Sequence, residues 1–290
     1  MRRVLICLLA MALLATEPLP PLVNEERFET VQGIFLAAGE APVITATSYR
    51  SHNIYIDIIS RRFMETDVYV ADVHVRSMDN FRRIYAGGEW DTRRDRVDSM
   101  SEASGAILAM TGDSSEYFSS GWVAGNGVIW RDIFNTKRDL CILYKDGRMV
   151  TYKAPSRAMH RQFAEEKDDI WQTFLFGPAL LDEEGKAYTK FNSNVKVANP
   201  RSVIGYYEPG HYCFVQVDGR STDSVLEEGE INNGLSLVNL AQLMESLGCK
   251  AAYNLDGGRS SMMWFVDGII STPAAINRTI GDIVAIMETE

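Results

Sequence analysis

The chain has 290 residues, 46% of them apolar, and a formal net charge of -10. That is enough apolar content for one large core and is not the composition of a disordered chain. The acidic balance excludes a general nucleic-acid binder, which needs a basic surface to displace counterions from phosphates.

Residues 1–16 begin with Arg2 and Arg3 and continue as an uncharged run from Val4 to Thr16, before Glu17 and a proline cluster. This is the layout of a secretory signal, and the run falls short of the ~20 apolar residues that span a bilayer. We therefore expect a cleaved signal or a short uncleaved anchor, a secreted or cell-surface protein, and membrane contact through this segment alone. Residues 17–45 read as a linker and a short helix, with Phe28, Val31, Ile34 and Phe35 at helical spacing. The folded domain is expected over 46–290.

Alternation of apolar and polar residues over 53–60 and 67–75 predicts two half-buried strands. The charged stretch from Arg82 to Ser104 reads as an exposed helix and loop. Residues 106–110 form a short buried strand, followed by the turn-rich segment from Thr111 to Trp130. The segment 140–153 predicts a hairpin closed by a two-residue type I′ turn at Asp146-Gly147. Residues 171–180 read as a buried segment ending in Gly177-Pro178, and 211–220 as a strand ending in Asp218-Gly219. Residues 236–248 place Leu237, Leu240, Ala241, Met244 and Leu247 on one helical face, with Gly248 as the stop. Two apolar strands then flank Asp256-Gly257-Gly258-Arg259-Ser260-Ser261. Strands dominate, helices intervene irregularly and no repeat is visible. The predicted class is α+β, a single domain with a mixed, mainly antiparallel sheet and flanking helices.

Cys141, Cys213 and Cys249 each lie in an apolar stretch, which predicts buried free thiols. His74 alternates with valines and reads as a core or face residue. His52 and His160 read as exposed, and His211 as a turn residue. No metal-binding His or Cys motif appears, so no transition-metal site is expected. Trp122, Trp130, Trp171 and Trp264 suit either the core or a sugar-stacking face.

Four polar clusters close apolar runs: Thr111-Gly112-Asp113, Asn199-Pro200-Arg201, Asp218-Gly219-Arg220 and Asp256-Gly257-Gly258. Turn chemistry explains each one alone. Together they would give a cleft three carboxylates, an arginine, and successive glycine N–H groups able to nest an anion. That combination suits a sugar or a phosphoester.

In order, the blocks MTGDSSEYFSSGWVAGNGVIWRD, FLFGPAL, NPRSVIG, HYCFVQVDGRS, GLSLVNLAQLMESLGCKAAYNLDGGRSSMM and RTIGDIV resemble the phosphodiester glycosidase family over about 106–290. The resemblance implies hydrolysis of a sugar joined through its anomeric carbon to a phosphodiester. The resemblance also implies a role in exopolysaccharide or cell-wall metabolism, as bacterial relatives are often described. It implies catalytic roles for Asp113, Asp218 and Asp256, and a substrate-binding role for Asn254. In this reading Arg201, helped by the N–H groups of Gly257 and Gly258, holds the phosphate. Asp113 or Asp256 then stabilises charge at the anomeric carbon or directs water to it. Arg259, where the family commonly has a third glycine, either adds a phosphate ligand or narrows the pocket, and Ser260 follows it. Thr111 stands where Asn is common. No cofactor is required, although three acids beside a phosphate could recruit calcium or magnesium. The partner implied is a phosphoglycan or sugar phosphate. The alternative is a carbohydrate-binding or exopolysaccharide-assembly protein that keeps the fold without the chemistry.

Overall fold

Alternation translates directly into the first sheet. The structure, a computed structural model, describes residues 31–135, 137–219 and 232–289. The expected leader at 1–16, residues 17–30 of the expected linker, and Arg220 lie outside these residues. A helical turn at Val31–Ile34 leads into β1 (Val43–Ile44), β2 (Ser48–Arg50), β3 (Ile54–Phe63) and β4 (Thr66–Val75). In β3, Ile54, Ile56 and Ile58 are buried while their neighbours are partly open.

There follow β5 (Phe81–Tyr85), β6 (Asp95–Arg96), α1 (Val97–Ser104), β7 (Leu108–Thr111), β8 (Gly121–Gly125), β9 (Val128–Ile133), β10 (Leu140–Tyr144), β11 (Met149–Tyr152), α2 (Arg157–Glu165) and β12 (Ile170–Phe174). The last third holds β13 (Arg201–Glu208), β14 (His211–Val217), α3 (Leu237–Ser246), β15 (Ala251–Asn254), β16 (Met263–Phe265), β17 (Gly268–Ile269), β18 (Thr279–Ile280) and β19 (Asp282–Ile286).

A seven-stranded sheet runs β1-β2-β3-β4-β14-β13-β15 and a five-stranded sheet runs β17-β16-β7-β19-β5. Smaller sheets join β11-β10-β12, β18-β6 and β8-β9. Every described pairing is antiparallel. The expected α+β class holds.

One face of the large sheet meets the five-stranded sheet through Ile54, Ile56, Val73, Phe81, Leu108, Phe214 and Val284. The other face, with Val68, Val70, Val215 and Val217, is covered by Leu237, Leu240, Ala241 and Met244 of α3. Side chains of this kind contribute about 1.5–3 kcal/mol each when fully buried, so burial of this stripe is what holds α3 to the sheet. Ser236 starts the helix by accepting a hydrogen bond from the Asn239 amide at 3.2 Å, and Gly248 ends it at φ 76°. The three described cysteines are buried free thiols, as expected.

Four local expectations change. Phe81–Tyr85 is a strand whose buried parity is Phe81, Arg83 and Tyr85, so an arginine enters the core where an exposed segment was expected. His160 is buried, paired with Trp122 Nε1 at 3.0 Å and with the Asn135 carbonyl at 2.9 Å. His211 is a buried strand residue. The β10–β11 hairpin puts positive φ on Gly147 alone of the Asp146-Gly147 pair and closes with Gly147 N to Tyr144 O at 3.0 Å, a type I turn with a bulge. Two-residue turns with both φ values positive stand instead at Met64-Glu65, at 46° and 59°, between β3 and β4, and at Asn126-Gly127, at 53° and 79°, between β8 and β9.

Candidate active site

Three strand ends from distant parts of the chain bring the site together. In the five-stranded sheet Thr111, at the end of β7, stands opposite Ile283 of β19. Past the end of β15 the Asp256 amide donates to the Gly112 carbonyl at 3.1 Å. Thr111 then ties the following loop down: its hydroxyl donates to the Ser260 carbonyl and accepts from the Met262 amide at 3.1 Å. A Cβ on Gly112 would fall 2.2 Å from Asp282 Oδ2, so only glycine lets the chain pass this carboxylate. Beyond it, the amides of Asp113 and Ser114 donate to Asp282 at 3.1 and 3.0 Å.

Arg83 is the centre of this region. It is 1% exposed, and its Nε donates to Asp282 Oδ2 at 2.7 Å while Nη2 stands 3.6 Å from Asp113 Oδ2. Its other N–H groups reach Ser115 Oγ at 3.0 Å and the Thr173 carbonyl at 2.8 Å. Burial works against its charge, but Asp282 and Asp113 outweigh that and hold it protonated. Asp113 is fully buried and accepts from the amides of Leu175 and Phe176 at 2.7 and 2.8 Å. Burial pushes its pKa up to about 6, against the pull of Arg83 and those amides. Asp113 therefore holds the 175–176 backbone in place.

Asp256 differs. It is half-buried, accepting from Ser114 Oγ at 2.9 Å and from the Gly257 amide at 2.8 Å. Burial raises its pKa, opposed by those two bonds and one from Ser260. Ser114 reaches it from a left-handed backbone, φ 48° and ψ 38°, a conformation that costs a non-glycine residue about 1–2 kcal/mol. Glu116 joins the same neighbourhood, bonded to Arg94 at 2.7 Å, and burial followed by Asp282 raises its pKa.

The remaining expected site residues divide. Asn254 donates to the Gly177 carbonyl at 2.8 Å and its amide N–H to Pro178 O at 3.1 Å, fixing the Gly177-Pro178 turn, whose peptide is cis. Arg201 is buried and donates to the carbonyls of Leu235 at 3.0 Å and of Val195 and Val197 at 2.6 Å. The anion nest is not formed: Gly257 N–H points at its own Asp256 and Gly258 N–H at the Pro200 carbonyl, 2.9 Å away, because this loop packs on the β13 entrance. Arg259 is exposed and Ser260 is buried. Asp218 lies apart, bonded to the Thr272 amide at 2.7 Å, with burial pushing its pKa up to about 7. No described contact links it to Asp113 or Asp256.

An open cleft of about 750 Å³ borders these anchors, lined by Phe118, Phe134, Phe176, Lys137, Arg138 and Asn192 among others. Phe176 is placed by Asp113 on one side, and Val195, which also lines the cleft, is held by Arg201 on another. The cleft aromatics are phenylalanines, whereas Trp122, Trp171 and Trp264 are core. Three ligating groups converge elsewhere, at Asp72, His74 and His211, with one ligand atom from each within 4.8 Å of the others. They are not the aspartates expected to recruit calcium or magnesium.

A model of the family described as "Phosphodiester glycosidase" matches residues 103–287. The chain belongs to the phosphodiester glycosidase family. Strands β1–β5 precede the matched stretch yet lie in the same two large sheets, so the family region is completed by earlier residues, Arg83 among them. Among curated relatives, the SPbeta prophage-derived uncharacterized protein YomE of Bacillus subtilis (strain 168) is 28% identical over 179 residues, 59% of this chain. The matched part is 26% of that protein's length. Among solved structures, the zebrafish N-acetylglucosamine-1-phosphodiester alpha-N-acetylglucosaminidase catalytic domain, auto-inhibited by its pro-peptide, aligns with a TM-score of 0.61 at 19% identity. That alignment covers 82% of this chain and 83% of the zebrafish chain. A hypothetical protein from Synechocystis aligns with a TM-score of 0.52 at 11% identity, over 81% of this chain and 62% of its own. These two likenesses are of fold.

Within this candidate site, the sequence alone did not single out Arg83, Ser114, Glu116 and Asp282. Arg83 had a readable signal, since it shares strand parity with Phe81 and Tyr85. Asp282 stood inside the RTIGDIV block. Ser114 carried no signal, because its role depends on a backbone angle.

Proposed function

We propose that this family member hydrolyses the bond between the anomeric carbon of a sugar and a phosphodiester in a cell-surface or extracellular glycan, the sugar resembling N-acetylglucosamine. The observation that carries this is the contrast among its acids. Asp113 and Asp282 are fully enclosed and committed to Arg83 and to main-chain amides, whereas Asp256 keeps an open edge and a polarising hydroxyl from Ser114. Asp256 takes a proton from water as the water oxygen bonds to the anomeric carbon. The bond from that carbon to the phosphate oxygen breaks, and a phosphate monoester leaves. Asp256 adjoins the cleft through Ser114, whose neighbour Asp113 holds the cleft residue Phe176, and in this reading the substrate extends from Asp256 into the cleft. There Lys137 and Arg138, the latter stacked 3.6 Å over Phe118, supply positive charge for the phosphate, Phe176 offers a face to the sugar ring, and Asn192 offers an amide to its hydroxyls. The exposed Arg259, three residues beyond Asp256, adds a third cation.

The test is release of free sugar from UDP-N-acetylglucosamine and from a simple N-acetylglucosamine 1-phosphodiester. Asp256→Asn should lower kcat by about 10²–10⁴-fold, the range for removing a general acid or base, with its melting temperature nearly unchanged. Arg138→Ala should act mainly on KM. Binding of both compounds by the wild type without release would overturn hydrolysis in favour of a carbohydrate-binding protein. Turnover that survived Asp256→Asn would remove that residue from the chemistry.

A further inference from the structure

We propose that Asp72, His74 and His211 form a zinc site separate from the cleft, the three side chains supplying three of the four positions zinc prefers. Asp72 and His74 are alternate residues of β4, so both point to the sheet face covered by α3, and His211 of β14 stands directly opposite His74. Both imidazoles turn Nε2 onto one carboxylate, His211 at 2.7 Å from Asp72 Oδ1 and His74 at 3.5 Å from Oδ2. A tetrahedral zinc with bonds of about 2.0–2.1 Å separates its ligand atoms by roughly 3.3 Å, between those two spacings. The two rings now stack at 3.8 Å with 16° between their planes, so binding an ion between them requires a tilt of the side chains. The backbone already places them.

Two features mark the group as more than strand decoration. Along the same face Val68, Val70, Val215 and Val217 are fully buried hydrophobics, and the polar group interrupts that stripe where an apolar residue would pack without penalty. Among the described residues, the ion-pair partners of Asp72 are these two histidines. Its carboxylate is 8% exposed, His211 is 3% and His74 is 12%, which leaves an approach on the His74 side. Two nitrogens and one oxygen suit zinc, whereas magnesium and calcium prefer all-oxygen sets. His211 lies six residues along β14 from Val217, roughly 20 Å at the usual strand rise, at the end of the sheet remote from Arg201.

The experiment strips the full chain with a chelator and titrates zinc in competition with a chromogenic chelator. One ion per chain is expected, with magnesium in excess failing to displace it. His74→Gln and His211→Gln should each weaken binding by about 100-fold or more, while His52→Gln leaves it unchanged. Zinc should raise the melting temperature of the wild type and not of His74→Gln. X-ray absorption on the cobalt-loaded wild type, which needs no variant to fold, should count two imidazoles. Failure of the wild type to take up zinc, binding indifferent to both histidine variants, or a cobalt shell with no imidazole would each overturn the site.

Discussion

Two buried charge clusters sit at different places in this fold and solve the same problem differently. Around Arg83, two enclosed carboxylates, Asp113 and Asp282, are held by a guanidinium that keeps its charge at every physiological pH. Around Asp72, one carboxylate is held by two histidines, and burial, which alone would raise its pKa, is overcome by their hydrogen bonds to hold it at about 2. A permanent counter-ion makes a fixed anchor, and the first cluster accordingly pins the loops that border the cleft. Histidine makes an exchangeable partner, open to protons and metal ions.

The sharpest way to break the comparison is Arg83→Met. It should destabilise the protein by about 3–5 kcal/mol in urea unfolding, because Asp113 and Asp282 stay buried without a cation. Arg83→Lys should recover little, since a lysine cannot reach Asp282, Ser115 and the Thr173 carbonyl together. An unchanged midpoint for Arg83→Met would remove the anchor argument.

Asp218 sharpens it next, as a buried acid with no described cation at all. Its folded pKa of about 7 lies above the ordinary 3.8, so the native state binds the extra proton between those values. The associated stability is fully present below pH 4 and is lost as pH rises through 7. Asp218→Asn should flatten that decline and raise stability at pH 8 on the order of 1–3 kcal/mol, measured as unfolding free energy against pH.

A smaller effect is expected at the loop itself. Thr111→Val removes one donor and one acceptor from the 260–262 segment, and should cost about 1–2 kcal/mol with a fall in activity if the loop positions Asp256. The smallest lies far from either cluster. Replacing Met64-Glu65 by Asn-Gly should stabilise by about 1 kcal/mol in thermal unfolding, because both residues occupy positive φ without the chemistry for it.

That last pair shows what local sequence can and cannot reveal. Strands β3, β4, β10 and β14 and helix α3 were legible because apolar periodicity and caps are written locally. Asp146-Gly147 invited a type I′ turn that the chain does not make, while Met64-Glu65 makes a turn of that form with no turn residue, because the ten-residue strands on either side impose their register. Asp113 and Asp256 were found at their strand ends, and the structure joins them through Ser114 and Asp282. Arg83 was hidden by its charge: a charged residue in a charged stretch reads as surface until its partners, some 30 and 199 residues away, are in place. His211 was misread for the same reason, since the Asp72 that receives it is 139 residues upstream. The glycine nest failed on a contact with Pro200, which no local pattern contains.

The placement of β19 between β7 and β5 bears on how the molecule is made. Arg83 leaves the ribosome about two hundred residues before Asp282, and β5 has no neighbour in its sheet until β19 arrives. The nascent chain therefore carries a guanidinium that lacks its closer carboxylate partner, and an unpaired strand edge, through most of synthesis, which favours a fold that closes late and in one step. A translation product halted before residue 282 should be handled by the cell as unfolded, however much of the seven-stranded sheet it already contains.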